Sequence, residues 1–319
     1  MRYIARAPGK VILVGEHFVV HGAYAIAAAI AEGVRAEARK LIGSQVRIVS
    51  EDLGLTAELP NNIPDELYPV VKCVSATMAR CKYDRGLELR LKSEIPPSAG
   101  LGSSAAAAVA SVAATSSAIG NGFGLRETAE LAMISEKAVH GNPSGIDVYT
   151  STYGGINLFR KAPKMIKSIR PLRPFRMIVA YDRGRRQTRK LISKVERFRQ
   201  SSPIHFSALI TANDVMVGTV KDLIKLGRTV DVGAYLNFYQ AILSSMSVSS
   251  PEIDSLVETS LGEGATGAKL TGAGGQGSII AISPAKKFKK VRQSLSEISE
   301  RVIDVTLPAQ GVRVWTENS

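Results

Sequence analysis

Residues Pro96–Ala105 read P-P-S-A-G-L-G-S-S-A, and a run of Ala, Ser and Val continues from there to Ser117. Glycines let a backbone turn its N–H groups inward, and a helix over Ser104–Ser117 would aim the positive end of its dipole at them. With the helix starting at Ser103 or Ser104, the stretch forms an anion nest suited to a di- or triphosphate. A serine hydroxyl at that helix start can also ligate Mg2+. An ordinary Gly/Ser loop with serine as N-cap fits the same letters. A Walker A loop does not, because G-x-x-x-x-G-K-[ST] occurs nowhere in the chain.

Three further segments carry possible chemistry. Upstream, Ala7–His17 reads A-P-G-K-V-I-L-V-G-E-H, with Lys10 between two strand-like pieces and Glu16-His17 after the second. A strand end is a rigid place to hold a reactive group, although a lysine there is more often a solvated turn residue. Downstream, Glu136–Asp147 reads E-K-A-V-H-G-N-P-S-G-I-D. Glu136 and His140 share a helix face at i, i+4, and the Asn-Pro-Ser-Gly turn brings Asp147 back toward Glu136. Two carboxylates near an anion nest suggest a metal ligand and a general base; an N-cap aspartate after a turn is the plainer alternative. Finally, Lys269–Gly277 reads K-L-T-G-A-G-G-Q-G. Its G-x-G-x-x-G match fails as a dinucleotide fingerprint, since a strand-like S-I-I-A-I follows where a helix should open. A second glycine-rich loop shaping a substrate site remains.

Periodicity predicts strands over Tyr3–Ala7 and Val11–Val14, separated by Pro8-Gly9, and over Val46–Ser50, Leu87–Leu91, Met177–Tyr181 and Ser278–Ile282. Helices are predicted over Leu125–His140, Asp214–Leu226 and Pro284–Ile298. A boundary near 160–175 divides the chain into two α+β halves.

The chain has 319 residues and a formal net charge of +13, which invites a nucleic-acid reading. The charge is local. Arg160–Arg199 holds fifteen Lys/Arg against Asp182 and Glu196, so the whole excess sits there and the remainder is balanced. Only Phe175, Tyr181 and Phe198 are aromatic in that stretch, too few for a stacking platform. The basic residues suit anionic small molecules, a solvated face or an acidic partner better. Cys73 and Cys81 are too few for a zinc motif and, with no secretory signal, read as reduced thiols. Ser103–Ile119 is too weakly hydrophobic for a membrane span.

Taken in order, the four segments resemble the GHMP kinases, named for galactokinase, homoserine kinase, mevalonate kinase and phosphomevalonate kinase. The resemblance runs from residue 5 to residue 277. A-P-G-K-V-I-L-V-G-E-H-F-V-V-H-G, H-G-N-P-S-G-I-D…S-T-Y-G-G and K-L-T-G-A-G-G are closest to the wording of the short, archaeal-type mevalonate kinases. The resemblance implies an α+β, two-domain GHMP kinase fold. Residues 1–165 would form an N-terminal nucleotide domain like ribosomal protein S5, and 166–319 a ferredoxin-like α/β sandwich. It also implies transfer of the γ-phosphoryl of ATP to the primary hydroxyl of (R)-mevalonate, with Mg2+ as cofactor. Asp147 would be the base and Lys10 its electrostatic partner. Pro97, Ser98, Ala99, Gly100, Leu101, Gly102, Ser103 and Ser104 would cradle the phosphates, with Ser104 and Glu136 on the metal. Glu16, His17, Thr188, Gly272, Ala273 and Gly274 would lie at the substrate. A cytoplasmic homodimer without nucleic-acid or membrane partners is implied as well. A sister kinase acting on phosphomevalonate or another mevalonate hydroxyl is the alternative, because Arg183–Arg189 could accommodate an extra phosphate.

Overall fold

The computed structural model describes residues 1–96, 99–120, 122–140, 143–182, 188–275 and 277–317. Its first strands are β1 (Arg2–Val14), β2 (Tyr24–Lys40), β3 (Val46–Ser50), β4 (Leu55–Leu59), β5 (Leu87–Ser93), β6 (Ile156–Arg160) and β7 (Met165–Ile169). Then come β8 (Phe175–Tyr181), β9 (Gly267–Thr271), β10 (Ser278–Ile282), β11 (Arg301–Leu307) and β12 (Arg313–Glu317). The helices are α1 (Tyr68–Arg80), α2 (Ser103–Ala118), α3 (Leu125–His140), α4 (Ile146–Tyr153) and α5 (Thr188–Ser201), followed by α6 (Pro203–Lys225), α7 (Val232–Ser245), α8 (Pro251–Gly262) and α9 (Ala285–Ile298).

Two sheets result. The larger runs β12-β1-β2-β5-β3-β4, with β6 and β7 continuing from β2; the smaller runs β11-β8-β10-β9. The chain changes sheet between β7 and β8, and β12 returns to pair antiparallel with β1. β2 is long because its two ends serve different neighbours. Tyr24–Ala28 pairs with β6, and Val34–Lys40 pairs with β5. Along its second half Val34, Ala36 and Ala38 are buried while Arg35 and Glu37 are not, the period-2 alternation of a strand with one solvated face.

The expected interruption at Pro8-Gly9 does not end a strand. β1 is continuous, and the register against β2 shifts between Pro8 and Gly9, so a bulge absorbs the irregularity. The glycine is needed for close approach. A Cβ at Gly9 would stand 2.8 Å from the Leu101 carbonyl oxygen.

Helix α2 packs on β1 and β2 and against α1 and α3. From Ala105 to Ala118 nearly every residue is buried. Ala and Ser suit this position because small side chains permit close approach on all sides. A large apolar cluster joins Val11 and Leu13 of β1 to Val179 of β8 and Leu270 of β9, so the two sheets share one core. No described helix is long and apolar enough to cross a membrane.

Candidate active site

The glycine loop reaches α2 through two residues in the left-handed region, Gly100 at φ 82° and Gly102 at φ 78°. Gly102 is the N-cap and makes no side-chain capping bond. The serine-cap alternative is therefore not realised, and the first N–H groups of α2 are left for an anion. Two hydrogen bonds hold the loop. The Lys10 amide donates to the Leu101 carbonyl at 2.7 Å, and the Ser278 hydroxyl donates to the Ala99 carbonyl at 2.8 Å. One tie goes to each sheet. Ser103 lies with its hydroxyl 3.3 Å from that of Ser93, and Ser104 is exposed at the second position of the helix. Pro97 and Ser98 lie outside the described residues.

Beneath the loop a charge cluster is assembled from three elements. Lys10 comes from β1, Glu136 from the last turns of α3, and Asp147 from the first turn of α4. Gly145, at φ 84°, is the N-cap of α4, so Asp147 lies inside the helix rather than capping it. The Lys10 Nζ is 3.2 Å from Asp147 Oδ1, with side-chain exposures of 5% and 28%. Glu136 is buried. Desolvation, reinforced by the Asp147 charge and opposed by Lys10, pushes its carboxyl up to about 8. Two carboxyl groups thus face one ammonium, and Glu136 is the one that burial and Asp147 hold toward its neutral form. A buried carboxylate, with a serine hydroxyl at a helix start, is a hard-oxygen donor set that fits a divalent cation also held by phosphate oxygens. An all-protein metal cage is not the pattern. Among the described residues no group of three or more His, Cys, Asp or Glu is placed to hold an ion.

The second glycine loop closes the other side. Gly272, Gly274 and Gly275 have positive φ. A Cβ at Gly274 would meet the Val248 carbonyl oxygen at 2.1 Å, so no larger residue fits. His17 is itself at φ 63°, an uncommon conformation for a non-glycine residue. Its Nε2 lies 3.1 Å from the Ala273 carbonyl oxygen. Thr271 Oγ1 accepts from the Ile12 amide at 2.9 Å and donates to the Ile12 carbonyl at 3.1 Å, stitching β9 to β1.

Glu16, expected at the substrate, is instead sealed from solvent. It pairs with Lys269, both side chains being 0% exposed. Burial pushes the Glu16 carboxyl up and the Lys269 ammonium down, while their mutual attraction opposes both shifts. Thr188 opens α5, and its side chain lies outside the described residues. So do residues 183–187 of the basic segment.

Comparison with known proteins follows the same outline. The GHMP kinase N-terminal domain matches residues 69–155, and the GHMP kinase C-terminal domain matches residues 220–300. The mevalonate kinase of Aeropyrum pernix is 34% identical, covering 98% of this chain and 99% of its own. The chain belongs to the GHMP kinases, on their mevalonate kinase branch. The Pyrococcus furiosus mevalonate kinase is 32% identical over 90% of this chain and 91% of its own length. Among solved structures, L. major mevalonate kinase in complex with R-mevalonate matches with a TM-score of 0.81 at 28% identity, covering 96% of each chain. As a GHMP kinase this protein is an ATP-dependent kinase. The sequence reading of this kinase missed Lys269 as a partner of the site. It stood in a quoted motif, but its partner lies 253 positions away, and no local spacing signals such a pair.

Proposed function

We propose that this GHMP kinase transfers the γ-phosphoryl of ATP to the primary hydroxyl of (R)-mevalonate, giving 5-phosphomevalonate and ADP. The observation that carries the reading is the Lys10–Asp147 pair, 3.2 Å apart beneath a glycine loop whose helix start has no side-chain cap. Phosphoryl transfer needs alignment and charge neutralisation more than covalent chemistry. Asp147, the more open of the two partners, accepts the proton of the attacking hydroxyl. Lys10 stabilises the oxygen as it becomes an alkoxide. Ala99, Gly100, Leu101, Gly102, Ser103 and Ser104 cradle the phosphates through backbone N–H groups, with Pro97 and Ser98 flanking them in the sequence.

Ser104 and Glu136 hold Mg2+. When bound, the cation neutralises charge on the β- and γ-phosphates. Glu136 is suited to this because its carboxyl, raised by burial, gains a counter-charge on loading. His17, Gly272, Ala273, Gly274 and Thr188 line the mevalonate side. Glu16 supports that wall from behind rather than touching the substrate. The division expected at 165/166 falls at the first residue of β7; we place it at the change of sheet between β7 and β8, at 170–174, with β12 returning across it. We further propose a cytoplasmic homodimer; exposed Leu172, Leu226 and Phe238 are apolar surface that a second copy would cover.

The test is a coupled ADP-release assay with ATP, Mg2+ and either mevalonate or phosphomevalonate, with NMR of the phosphorylated carbon. Turnover of mevalonate at its primary hydroxyl is expected. Turnover of phosphomevalonate alone overturns the substrate assignment in favour of the sister reaction.

A further inference from the structure

Two lysines and three carboxyl groups form a series from β9 of the smaller sheet to α4 and α3. Lys269 on β9 pairs with Glu16 at the end of β1. Lys10 acts electrostatically on both of them. Lys10 in turn pairs with Asp147, whose charge acts on Glu136. Lys10 therefore stands between two carboxylates, and only one of the two pairings puts its ammonium at the cleft.

Nothing in Lys10 itself decides which carboxylate it takes. Glu16 is the more buried, where a bare charge is the more costly. Only one of its oxygens is used: Oε1 receives Lys269, while Oε2 is buried without a hydrogen-bond partner. Glu16 thus keeps an unpaired acceptor oxygen in the interior, and among the described residues Lys10 is the only other cation acting on it.

We propose that Lys269 is a positioning residue for phosphoryl transfer: by satisfying the Glu16 charge in the interior, it leaves the Lys10 ammonium on Asp147. The inference rests on the roles given above to Lys10 and Asp147. Lys269 is itself well fixed. Its Nζ also donates to the Leu270 carbonyl, and the Leu270 amide donates to Gln240 Oε1 at 2.9 Å. The next residue, Thr271, is stitched to Ile12. The stem of Lys10 passes under the glycine loop, where a Cβ at Gly102 would come within 2.8 Å of its Cγ. The stem is confined, and the ammonium at its tip carries the pairing with Asp147. With Lys269 removed, Lys10 is the cation left acting on Glu16, and the ammonium leaves Asp147 for the interior.

The experiment compares wild type, Lys269→Met and the double variant Glu16→Gln/Lys269→Met. It measures kcat at saturating ATP and mevalonate, the ATP affinity, and the ligand-free crystal structure of each. Lys269→Met is expected to lose about 10–100-fold in kcat with ATP affinity unchanged. In its crystal structure Lys10 Nζ is expected on Glu16, beyond ion-pair distance (about 4 Å) of Asp147. The double variant removes the competing carboxylate and should return kcat to within about 5-fold of wild type. Equal losses in the single and double variants, or Lys10 still on Asp147 in Lys269→Met, overturn the proposal. Should Lys269→Met fail to fold, the double variant decides alone. Near-normal kcat supports the proposal, and a loss as large as that of a Lys10 variant overturns it. Wild type inactive on mevalonate would sink the substrate assignment, leaving the crystallographic comparison to decide this one.

Discussion

Two lysine–carboxylate pairs lie along β1, and they differ mainly in their access to water. Lys10–Asp147 opens on the cleft, with the carboxylate 28% exposed. Lys269–Glu16 is closed off entirely. A sealed ion pair contributes little net stability, because desolvation offsets the attraction, yet removing one partner alone is costly. It fixes geometry. A pair at the cleft edge keeps its carboxylate within reach of a ligand. The same chemistry thus gives a sealed scaffold at the end of β1 and an open pair within it, the one to which the proposed reaction is assigned.

Replacing the open lysine should separate the two roles most sharply. Lys10→Met is expected to lose about 10²–10⁴-fold in kcat, with the fold kept as judged by circular dichroism. A loss confined to KM would place Lys10 in binding rather than in the chemical step.

Crowding the open pair comes next. Gly102→Ala puts a side chain at φ 78° and presses on the Lys10 stem. Strain of about 1–3 kcal/mol, relieved by distorting the loop, should raise the ATP KM by about tenfold or more. Unchanged ATP affinity would mean the loop does not carry the phosphates.

The third carboxyl group, beside the open pair, can be changed as well. The Glu136 carboxyl is raised from its ordinary 4.5 to about 8. The folded protein therefore holds a proton that the unfolded chain releases, and stability is lost as pH rises between those values. Glu136→Gln abolishes that slope. It should make the metal-free protein more stable at pH 8 by about 1–3 kcal/mol, while turnover falls. Parallel stability–pH curves for variant and wild type in urea unfolding would contradict the assignment.

The smallest effect belongs to the seam between the sheets. Ser278→Ala removes the bond to the Ala99 carbonyl and should cost about 1 kcal/mol, read as a lower Tm with a few-fold rise in ATP KM. A kcat loss as large as that of Lys10→Met would mean the seam, not the open pair, limits the reaction.

How much of this was legible in the sequence follows the range of the interactions. Helix α3 and strands β3 and β10 have the predicted bounds, because local periodicity and flanking glycine or proline specify them. Three of the four quoted segments supply Lys10, the Gly100–Ser104 loop, and Glu136 with Asp147, and the fold brings them to one place. β1 was misread as two strands because Pro8-Gly9 is a strong breaker signal that a bulge against β2 overrides. The first half of β2, rich in alanine, carries no alternation and owes its strand to neighbours on both sides. Lys269–Glu16 and the return of β12 to β1 are products of tertiary pairing, which no window along the chain contains.

The central claim is that Asp147, held by Lys10, takes the proton in the chemical step. Asp147→Asn tests it most directly, with kcat for ADP release from ATP and mevalonate measured beside ATP affinity by calorimetry. ATP affinity near that of wild type, with kcat reduced about 10²–10⁴-fold, is the predicted result. Near-normal kcat in that variant would contradict the account.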